Sequence, residues 1–548
     1  MNQLKHKVSA FSVLPAALLF SGCIYIDAPS EADTKPPRVV ADIRPSIDRD
    51  AVFLSPGILR SDDGRTVNME RGIIFVPENR SKADSRLIAV HFLRVPAVDP
   101  EAGRSPVFTL PGGPGSEWDH TDPIIFDHLE KLRKTRDYIF VTQRGNTAET
   151  YTTPDLTFAS PPAFGPGDAA NVDNMMAVGG GAYRAALGEW TERGVDVTGY
   201  DITNIVDDVY DIKNALGYDD IVLRGCSFGS QWSFSYIKRW PETVDRALLS
   251  GVEPLDYAYD SADWLVASMD RLSASAADVP ALKARMPEGG LTAAIAATVE
   301  RLETEPAEVI LPTPDGGTVT VAIGPDDVRT TVRYAWGLFE QDTDYANLAF
   351  WPRFVLELYE GDYRVLAFMK LAQLQDDGRG KLLGPLIDNS LGISPERDAK
   401  LLAEKGRDIL EPNWFYRATR DAEQGAPQVP LEFLEDFPND IPTLLVSGDY
   451  DWSTPIENAE AVLPSLEQGH LVTVAGATHC PLFQPEQILA DDPEAADRIF
   501  SFIDLDFSET PASEFFATLP DRVELNPVPF DDSEVALFDQ FIASGGLE

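Results

Sequence analysis

The chain has 548 residues, and 44% of them are hydrophobic. This length exceeds the roughly 250–300 residues at which single hydrophobic cores stop growing. We therefore expect a large buried core and more than one compact unit. The 45 basic and 89 acidic residues give a formal net charge of -44, and so acidic a surface repels polyanions and excludes nucleic acid as a partner.

The first 45 residues have the pattern of an exported bacterial lipoprotein. Two lysines precede a short apolar stretch over residues 10–20, which falls short of the about 20 apolar residues of a membrane span. Small residues then precede Cys23, as in a lipobox. We expect a signal peptide over residues 1–23, lipidation of Cys23 and a tether over residues 24–45. The expected location is the bacterial cell envelope, with outer membrane or periplasm favoured; a plain signal peptide, with Cys23 incidental, is the alternative.

Further along, short apolar runs alternate with amphipathic helical patterns, which is typical of an α/β fold with a mostly parallel sheet. Apolar residues at helical spacing predict a helix over residues 201–216, and another helix is predicted to follow a glycine turn and run through Lys238. The predicted strands are residues 71–77, 87–93, 106–110, 138–141, 221–223, 246–250, 443–447 and 471–474.

The alternation stops between residues 255 and 438, where helical patterns prevail. We therefore predict a sheet-containing core in two parts, residues 46–254 and 439–548, interrupted by a helical cap over residues 255–438. An insertion between consecutive strands of such a sheet lies over their carboxyl ends, where α/β sheets bind ligands.

The segment Gly225-Cys226-Ser227-Phe228-Gly229 follows a predicted strand and opens a predicted helix. This context is typical of a nucleophile elbow, in which flanking glycines allow a tight turn that holds the serine hydroxyl clear of the backbone. Ser227 is therefore the predicted nucleophile. The alternative is an ordinary serine in a glycine-rich turn.

A serine hydroxyl needs a base to take its proton, and an acid to orient that base. Among the six histidines, His479 lies in a loop directly after the last clear strand, where a base is expected after serine and acid in chain order. Asp449 and Asp451 both follow the penultimate strand. We predict Asp451 as the acid, because it precedes the turn closed by Thr454-Pro455; Asp449 is the alternative.

Charge that develops on a substrate oxygen needs donors aimed at it. The segment Leu110-Pro111-Gly112-Gly113-Pro114-Gly115 directly follows a predicted strand, and its glycines let the backbone approach a ligand. We predict an oxyanion hole formed by the N–H of Gly112 or Gly113 together with that of Phe228. A plain structural turn is the alternative.

Cys226 and Cys480 are the only cysteines besides Cys23, so the chain has no disulfide framework. Free buried thiols are the expectation for both, and a bridge between them is the alternative. The sequence has no HExxH motif, no clustered cysteine and histidine spacing and no dinucleotide fingerprint, so we expect neither a metal nor a cofactor.

In this order, the motifs resemble those of the proline iminopeptidase and tripeptidyl aminopeptidase branch of the α/β-hydrolases. Pro111 and Thr142 depart from the pattern, since histidine and aspartate are usual there. The resemblance implies an α/β-hydrolase fold, with a mostly parallel central sheet, helices on both faces and a large helical cap. The segments that carry it are Gly112-Gly113-Pro114-Gly115, Gln143-Arg144-Gly145, the Ser227 elbow, Asp451 with Thr454-Pro455, and His479.

The resemblance also implies a serine hydrolase that removes residues or short peptides from a free N-terminus through an acyl-enzyme. Acidic side chains near the cap hold the α-amine in such enzymes; Glu253 is the first candidate here, followed by Glu340 and Asp344. An ordinary capping or surface role is the alternative for Glu253. A carboxylic ester hydrolase with the same triad and a catalytically silent, surface-anchored binding protein are the rival functions, and the oligomeric state stays open.

Overall fold

The computed structural model describes residues 52–116, 121, 123–146, 155–313, 316–333, 344–375, 379–422, 428–483, 488–528 and 530. The predicted signal peptide, Cys23, the predicted tether and Glu340 lie outside these residues. Within the described ranges, no helix combines the length and the apolar character that a membrane crossing requires.

Fourteen strands are found in the described residues, and ten of them form one sheet. In chain order the strands are β1 (Val52–Arg60), β2 (Thr66–Pro77), β3 (Leu87–Val95), β4 (Val107–Leu110), β5 (Tyr138–Val141), β6 (Thr157–Ala159), β7 (Ile221–Cys226), β8 (Val244–Ser250), β9 (Ala307–Pro312), β10 (Thr318–Ile323), β11 (Arg379–Lys381), β12 (Thr443–Gly448), β13 (Gly469–Ala475) and β14 (Arg522–Glu524). The sheet order is β1-β2-β3-β5-β4-β7-β8-β12-β13-β14. The pairs from β1 to β5 are antiparallel, and all pairs from β5 to β14 are parallel.

Helices cover both faces of this sheet and make up most of the insertion. They are α1 (Pro123–Leu132), α2 (Val172–Glu192), α3 (Ile202–Ala215), α4 (Phe228–Arg239), α5 (Ala262–Ala276), α6 (Pro280–Lys283), α7 (Gly290–Thr304), α8 (Pro325–Thr331), α9 (Asp344–Glu360), α10 (Arg364–Gln375), α11 (Leu383–Leu391), α12 (Pro395–Leu402), α13 (Trp414–Ala422), α14 (Leu431–Leu434), α15 (Ile456–Val462), α16 (Ile488–Asp491), α17 (Pro493–Asp504) and α18 (Ala512–Phe516).

The central strands are buried on both faces, which explains their nearly continuous apolar sequences. In β8, Ala247 and Leu249 pack into the core that contains α3 and α4, whereas Leu248 packs with α17 on the other face. Successive side chains of a strand point to opposite faces, so a run of apolar residues serves both layers. The predicted strands and the mostly parallel sheet are confirmed.

Local signals set the helix bounds. At the start of α3, the Asp201 carboxylate accepts the N–H of Asn204 at 2.8 Å, as a helix N-cap does. The predicted helix over residues 201–216 therefore begins one residue later than predicted and ends one residue earlier.

The insertion has two parts with different cores. Helices α5 to α10, with the hairpin β9–β10, enclose their own apolar cluster, which includes Leu272, Ile295 and Phe354. Helices α11, α13 and α14 instead pack into the core of the sheet, through residues such as Ile387 and Phe415, and Leu401 of α12 packs in a small separate cluster with Tyr259. The predicted domain boundaries stay a prediction.

Part of the chain before Ser227 also joins the insertion. Strand β6 pairs with β11, with Thr157 opposite Lys381, and the ring of Phe158 stacks on Phe415 at 6.3 Å between centroids. The hairpin β9–β10 and this small sheet go beyond the helical pattern that the sequence predicts for residues 255–438.

Candidate active site

Ser227 is the single residue between β7 and α4, and its backbone has a conformation that L-residues rarely adopt. Its φ is 57° and its ψ is -130°, and its N–H donates to the carbonyl of Ser250 at 3.1 Å. A side chain on Gly225 would lie 2.3 Å from the carbonyl oxygen of Gly229, and one on Gly229 would lie 2.1 Å from that of Leu110. Both glycines are therefore required, and the unfavourable backbone at Ser227 is typical of a functional site.

His479 and Asp451 form a buried hydrogen-bonded pair at the ends of neighbouring strands. The Nδ1 atom of His479 lies 2.9 Å from Oδ2 of Asp451 and 3.1 Å from Oδ1. Because a carboxylate only accepts, Nδ1 carries the proton and Nε2 is left as the accepting nitrogen. The pair therefore has the arrangement of a general base with its orienting acid.

The Asp451 carboxylate is fixed by its own turn. Oδ1 accepts the N–H groups of Ser453 at 2.8 Å and Thr454 at 2.7 Å, and Oδ2 accepts the Thr454 hydroxyl at 2.9 Å. The Thr454 hydroxyl also lies 3.1 Å from Nδ1 of His479. Thr454 is thus a positioning residue that the sequence motif contains but that its spacing alone does not single out.

Asp449, the alternative acid, faces away from the histidine. Its carboxylate accepts the N–H of Gly476 at 2.8 Å and a guanidinium N–H of Arg522 at 3.0 Å. These contacts join the ends of β12, β13 and β14. Asp451, and not Asp449, is therefore the carboxylate that contacts His479.

The segments that carry Ser227 and His479 are linked covalently. Cys226, which precedes the serine, forms a disulfide with Cys480, which follows the histidine, and their Cα atoms lie 5.8 Å apart. A ring nitrogen of His479 lies within 4.8 Å of both sulfurs. Ser227, His479 and Asp451 thus converge at the carboxyl edge of the parallel strands, and their catalytic roles stay a prediction.

The expectation of free thiols at Cys226 and Cys480 is wrong. The two cysteines are 254 positions apart, and β8 and β12 lie between their strands in the sheet. The loop after β13 reaches back across those strands, which the sequence pattern does not reveal. With both sulfurs bonded to each other, the cluster of Cys226, His479 and Cys480 offers no thiolate to a metal.

The glycine loop after β4 lies against Ser227. A side chain on Gly112 would lie 3.1 Å from Cβ of Ser227 and 3.6 Å from its hydroxyl oxygen. Phe228 is the first residue of α4, and the N–H groups of a first helical turn have no partner within the helix. Gly112 and Phe228 therefore flank Ser227 as the predicted oxyanion hole requires, while Gly113, with φ 105°, forms the turn beyond.

Gln143 holds this loop in place. Its amide NH₂ donates to the carbonyl of Gly112 at 3.0 Å, and its amide oxygen accepts the N–H of Gly115 at 2.8 Å. The neighbouring Arg144 points into the core, where it binds the buried Asp208 through two hydrogen bonds of 2.7 and 2.5 Å. The Gln-Arg-Gly motif therefore supports the site indirectly: Gln143 holds the glycine loop, and Arg144 anchors the motif in the core.

The backbone of Glu253 is linked to the backbone of Ser227 through one hydroxyl. Its N–H donates to Oγ of Ser230 at 2.8 Å, and that hydroxyl donates to the carbonyl of Ser227 at 2.6 Å. Desolvation, followed by the charges of Asp388, Asp260 and Asp451, raises the pKa of Glu253 well above its ordinary value, although the charge of Arg397 acts in the opposite direction. Its carboxylate has no hydrogen bond or salt bridge to another described residue.

Asp388 is a further acid close to the site, and it is buried; sequence reasoning missed it. It lies on α11, one turn after Gly384, whose side-chain position would contact the carbonyl oxygen of Pro114 at 3.4 Å. Residues four apart share a helix face, so Asp388 lies on the face turned toward the glycine loop. Burial, and then Asp260, raises its pKa well above the ordinary value. An acid in an apolar helix carries no signal in one sequence that marks it as functional.

Asp260, in contrast, is neutralised by a partner: Nη1 of Arg333 lies 2.7 Å from its carboxylate. Of the other predicted acids, Asp344 is the first residue of α9, and Glu340 lies outside the described residues. The roles predicted for Asp344 and Glu340 stay predictions. Glu253 and Asp388 are thus two acids near Ser227 and the glycine loop that form no salt bridge within the described part of the chain.

The raised carboxyl pKa values predict how stability changes with pH. Near the ordinary values, 4.5 for Glu253 and 3.8 for Asp388, the unfolded chain loses these protons while the folded protein keeps them. The free energy of unfolding should therefore fall as the pH rises from there through the raised folded-state values. Urea unfolding of a Glu253→Gln, Asp388→Asn double variant should show a flatter decline than the wild type. A Glu300→Gln control on the exposed side of α7 should keep the wild-type slope, and equal slopes in all three proteins would contradict the prediction.

A mostly parallel sheet that carries a serine on a strained turn, beside a buried histidine–aspartate pair, defines a hydrolase of the α/β class. A profile of the alpha/beta hydrolase fold matches residues 106–485, which span β4 through the histidine loop. The chain belongs to the α/β hydrolase fold family, and the fold-class prediction is confirmed.

Solved structures of other hydrolases are similar to parts of this chain. A serine hydrolase from the bacterium Cycloclasticus zankles has 10% identity and a TM-score of 0.32, over 82% of this chain and 98% of that one. A thermophilic esterase from Thermogutta terrifontis has 15% identity and a TM-score of 0.30, over 78% and 98%. A Bacillus megaterium epoxide hydrolase has 12% identity and a TM-score of 0.32, over 76% and 98%. No curated protein matches the chain, and the peptidase branch stays a prediction.

Proposed function

We propose that the protein is a serine aminopeptidase, which releases residues or short peptides from free N-termini and is carried on an exported precursor anchored to a membrane at Cys23. The observation that carries the peptidase assignment is a pair of acids that form no salt bridge within the described residues, the half-buried Glu253 and the buried Asp388, near the proposed nucleophile and its glycine loop. A buried carboxylate without a partner is unfavourable, and a cation brought by the substrate offsets that cost.

Acylation follows from the geometry of the three side chains. Nε2 of His479 takes the proton of the Ser227 hydroxyl as that oxygen attacks the peptide carbonyl. The imidazolium that forms is stabilised by the Asp451 carboxylate, 2.9 Å from Nδ1. The N–H groups of Gly112 and Phe228 stabilise the oxyanion, and the imidazolium then donates its proton to the leaving amine.

Deacylation uses the same groups in reverse order. Nε2 of His479 takes a proton from water, which attacks the acyl-enzyme carbonyl, and the histidine returns that proton to the Ser227 oxygen as it leaves. No step requires a group beyond the residues named here and water. The burial of Asp451, His479 and Ser227, at 0%, 2% and 6% exposure, strengthens the electrostatic interactions that these steps rely on.

The two acids supply the selectivity for a free N-terminus. An α-ammonium group bound between Glu253 and Asp388 forms charge-assisted hydrogen bonds in a setting of low dielectric constant. Glu253 is one serine hydroxyl away from the Ser227 backbone, and Asp388 lies on the helix above the glycine loop. A substrate held at its amine between them presents a carbonyl close to its N-terminus to Ser227.

The Glu253→Gln and Asp388→Asn variants test this assignment. Loss of either charge should lower kcat/KM for aminoacyl and tripeptidyl arylamides with a free amine by about 100-fold, because a buried ammonium would lose its ionic partner. The Glu300→Gln variant, which removes one exposed acid from the cap, serves as the control and should keep wild-type kinetics. Steady-state rates on matched free and N-acetylated substrates measure the difference.

Two outcomes would argue against an aminopeptidase. Equal rates on free and N-acetylated peptides would mean that no amine is recognised. Rapid hydrolysis of short acyl esters without cleavage of arylamides, with Glu253→Gln and Asp388→Asn at wild-type rates, would assign the site to a carboxylic ester hydrolase.

A further inference from the structure

We propose that the Cys226–Cys480 disulfide positions the catalytic base against the nucleophile, so that full hydrolytic activity belongs to the oxidised protein alone. The inference rests on the proposed serine hydrolase function and assigns a role to two residues outside the triad. Each cysteine is the immediate neighbour of a triad residue, Cys226 of Ser227 and Cys480 of His479.

The histidine loop is tied to the acid by contacts that precede His479. The carbonyl of Ala477 accepts the N–H of Tyr450 at 3.0 Å, and a side chain on Gly448 would lie 2.3 Å from the carbonyl oxygens of both Ala477 and Thr478. Together with the bond from His479 to Asp451, these contacts hold the base close to β12. They do not by themselves fix its distance from Ser227, which is carried by β7.

The disulfide supplies the link from the histidine loop to β7. It joins residue 480 to the last residue of β7, and helices α5 to α14 all lie in the chain between its two ends. Two non-covalent contacts of Arg224, on β7, also reach this segment. A guanidinium N–H donates to the carbonyl of Leu482 at 3.5 Å, the long limit of a hydrogen bond, and the guanidinium carbon lies 3.9 Å from the centroid of the Phe483 ring. The covalent link is therefore the main constraint between nucleophile and base.

The backbone of Cys480 supports this role. Its φ is 52°, a conformation that costs energy in a residue other than glycine and persists only where the surroundings impose it. Its sulfur also packs against β8: a side chain on Gly251 would lie 2.6 Å from Sγ of Cys480 and 3.0 Å from Cε1 of His479. The bridge and the imidazole thus share one tightly packed space at the end of β8.

Formation of the bridge is a two-electron oxidation by thiol–disulfide exchange. One thiolate attacks a disulfide oxidant and releases one thiol, and the second cysteine thiolate then displaces the other, which forms the S–S bond. The oxidant leaves as two thiols, and each cysteine loses one proton. In a reducing compartment the chain would keep both thiols and a less constrained base, which agrees with the expected export of the protein.

Removal of the bridge should reduce the chemical step more than substrate binding. Misplacement of a catalytic group by about 1 Å costs about 100-fold in rate, so we expect a Cys226→Ala, Cys480→Ala double variant to lose about 100-fold in kcat. The rate constant for labelling of Ser227 by a fluorophosphonate should fall by a similar factor. KM for a free-amine arylamide should change little, because Glu253 and Asp388 lie on other segments.

A stability-matched variant separates positioning from folding. Ile499→Ala truncates a buried residue of α17 on the far side of the sheet, and assays below both melting temperatures compare the two variants as folded proteins. Ile499→Ala should keep wild-type kcat and labelling rate.

Wild-type protein reduced with dithiothreitol should lose activity and regain it with oxidised glutathione, whereas the activity of the double alanine variant should respond to neither reagent.

Each result decides the proposal. Wild-type kcat and labelling in the double alanine variant, or full activity in wild-type protein whose two thiols are shown by mass spectrometry to be reduced, would overturn it while the serine hydrolase function stands. A rise of KM by about 100-fold in the double alanine variant, with no change in kcat, would also overturn it. Wild-type protein that neither labels nor hydrolyses any substrate would instead overturn the proposed function, and the positioning role with it.

Discussion

Replacement of Ser227 by alanine is expected to abolish hydrolysis, with a loss of kcat of about a million-fold, because His479 then has no hydroxyl to activate. The effect should be confined to chemistry, since alanine keeps the Cβ that packs near Gly112 and adds no atom to the turn. Fluorophosphonate labelling of the wild type, followed by mass spectrometry of the labelled peptide, should place the adduct on Ser227. Labelling of Ser227→Ala should be absent.

Ser233 offers a matched control on α4, the helix that directly follows Ser227. Its hydroxyl is also buried and donates to the carbonyl of Gly229 at 2.7 Å, so Ser233→Ala removes a serine oxygen close to the elbow without touching the proposed triad. This variant should label and turn over substrate. Persistent labelling of Ser227→Ala would assign the nucleophile to another residue. Failure of a well-folded wild type to label at all would favour the catalytically silent binding protein.

Substitution of Asp451 by asparagine is expected to lower kcat by about 10,000-fold. An asparagine amide in place of the carboxylate can donate to Nδ1, which would shift the ring proton to Nε2 and leave the base unable to accept from Ser227. The loss of negative charge also destabilises the imidazolium that forms during acylation. Steady-state kinetics with saturating arylamide measure this effect, and the labelling rate gives a second readout.

Asp449→Asn is the internal control for this prediction. Asp449 lies two residues away and makes its bonds to Gly476 and Arg522, so its substitution should lower the melting temperature but leave kcat within about threefold of the wild type. If Asp449→Asn were the variant with the large kinetic loss, the orienting acid would have to be reassigned. Similar kinetic losses in both variants would point to a structural effect on the shared loop.

The most reliable sequence predictions concern the elbow, because its constraints are local. Gly225 and Gly229 are needed where a strand turns directly into a helix, and the backbone there leaves no space for Cβ atoms. The same holds for the strands, whose continuous apolar runs reflect burial on both faces. Such requirements act between residues close in the chain, and a single sequence records them directly.

Contacts between distant segments are less well recorded. Two aspartates follow β12, and their spacing alone leaves both possible as the acid that contacts His479. The choice depends on how the loop after β13 folds against the loop after β12. The free thiols expected at Cys226 and Cys480 are bridged for a similar reason: the histidine loop crosses β8 and β12 to reach β7. The position of Asp388 near the glycine loop depends on the packing of α11, which has no counterpart in the sequence pattern.

The sequence by itself therefore determined the α/β architecture, the glycine-flanked strand-to-helix turn at Ser227 and the order of the candidate triad, because turn sterics and burial periodicity are properties of neighbouring residues. Only the tertiary structure decided that Asp451 rather than Asp449 faces His479, that Cys226 binds Cys480, and that Glu253 and Asp388 form no salt bridge among the described residues. These features depend on which loops meet at the carboxyl edge of the sheet. That meeting is set by strand order and helix packing across hundreds of residues, and not by any local pattern.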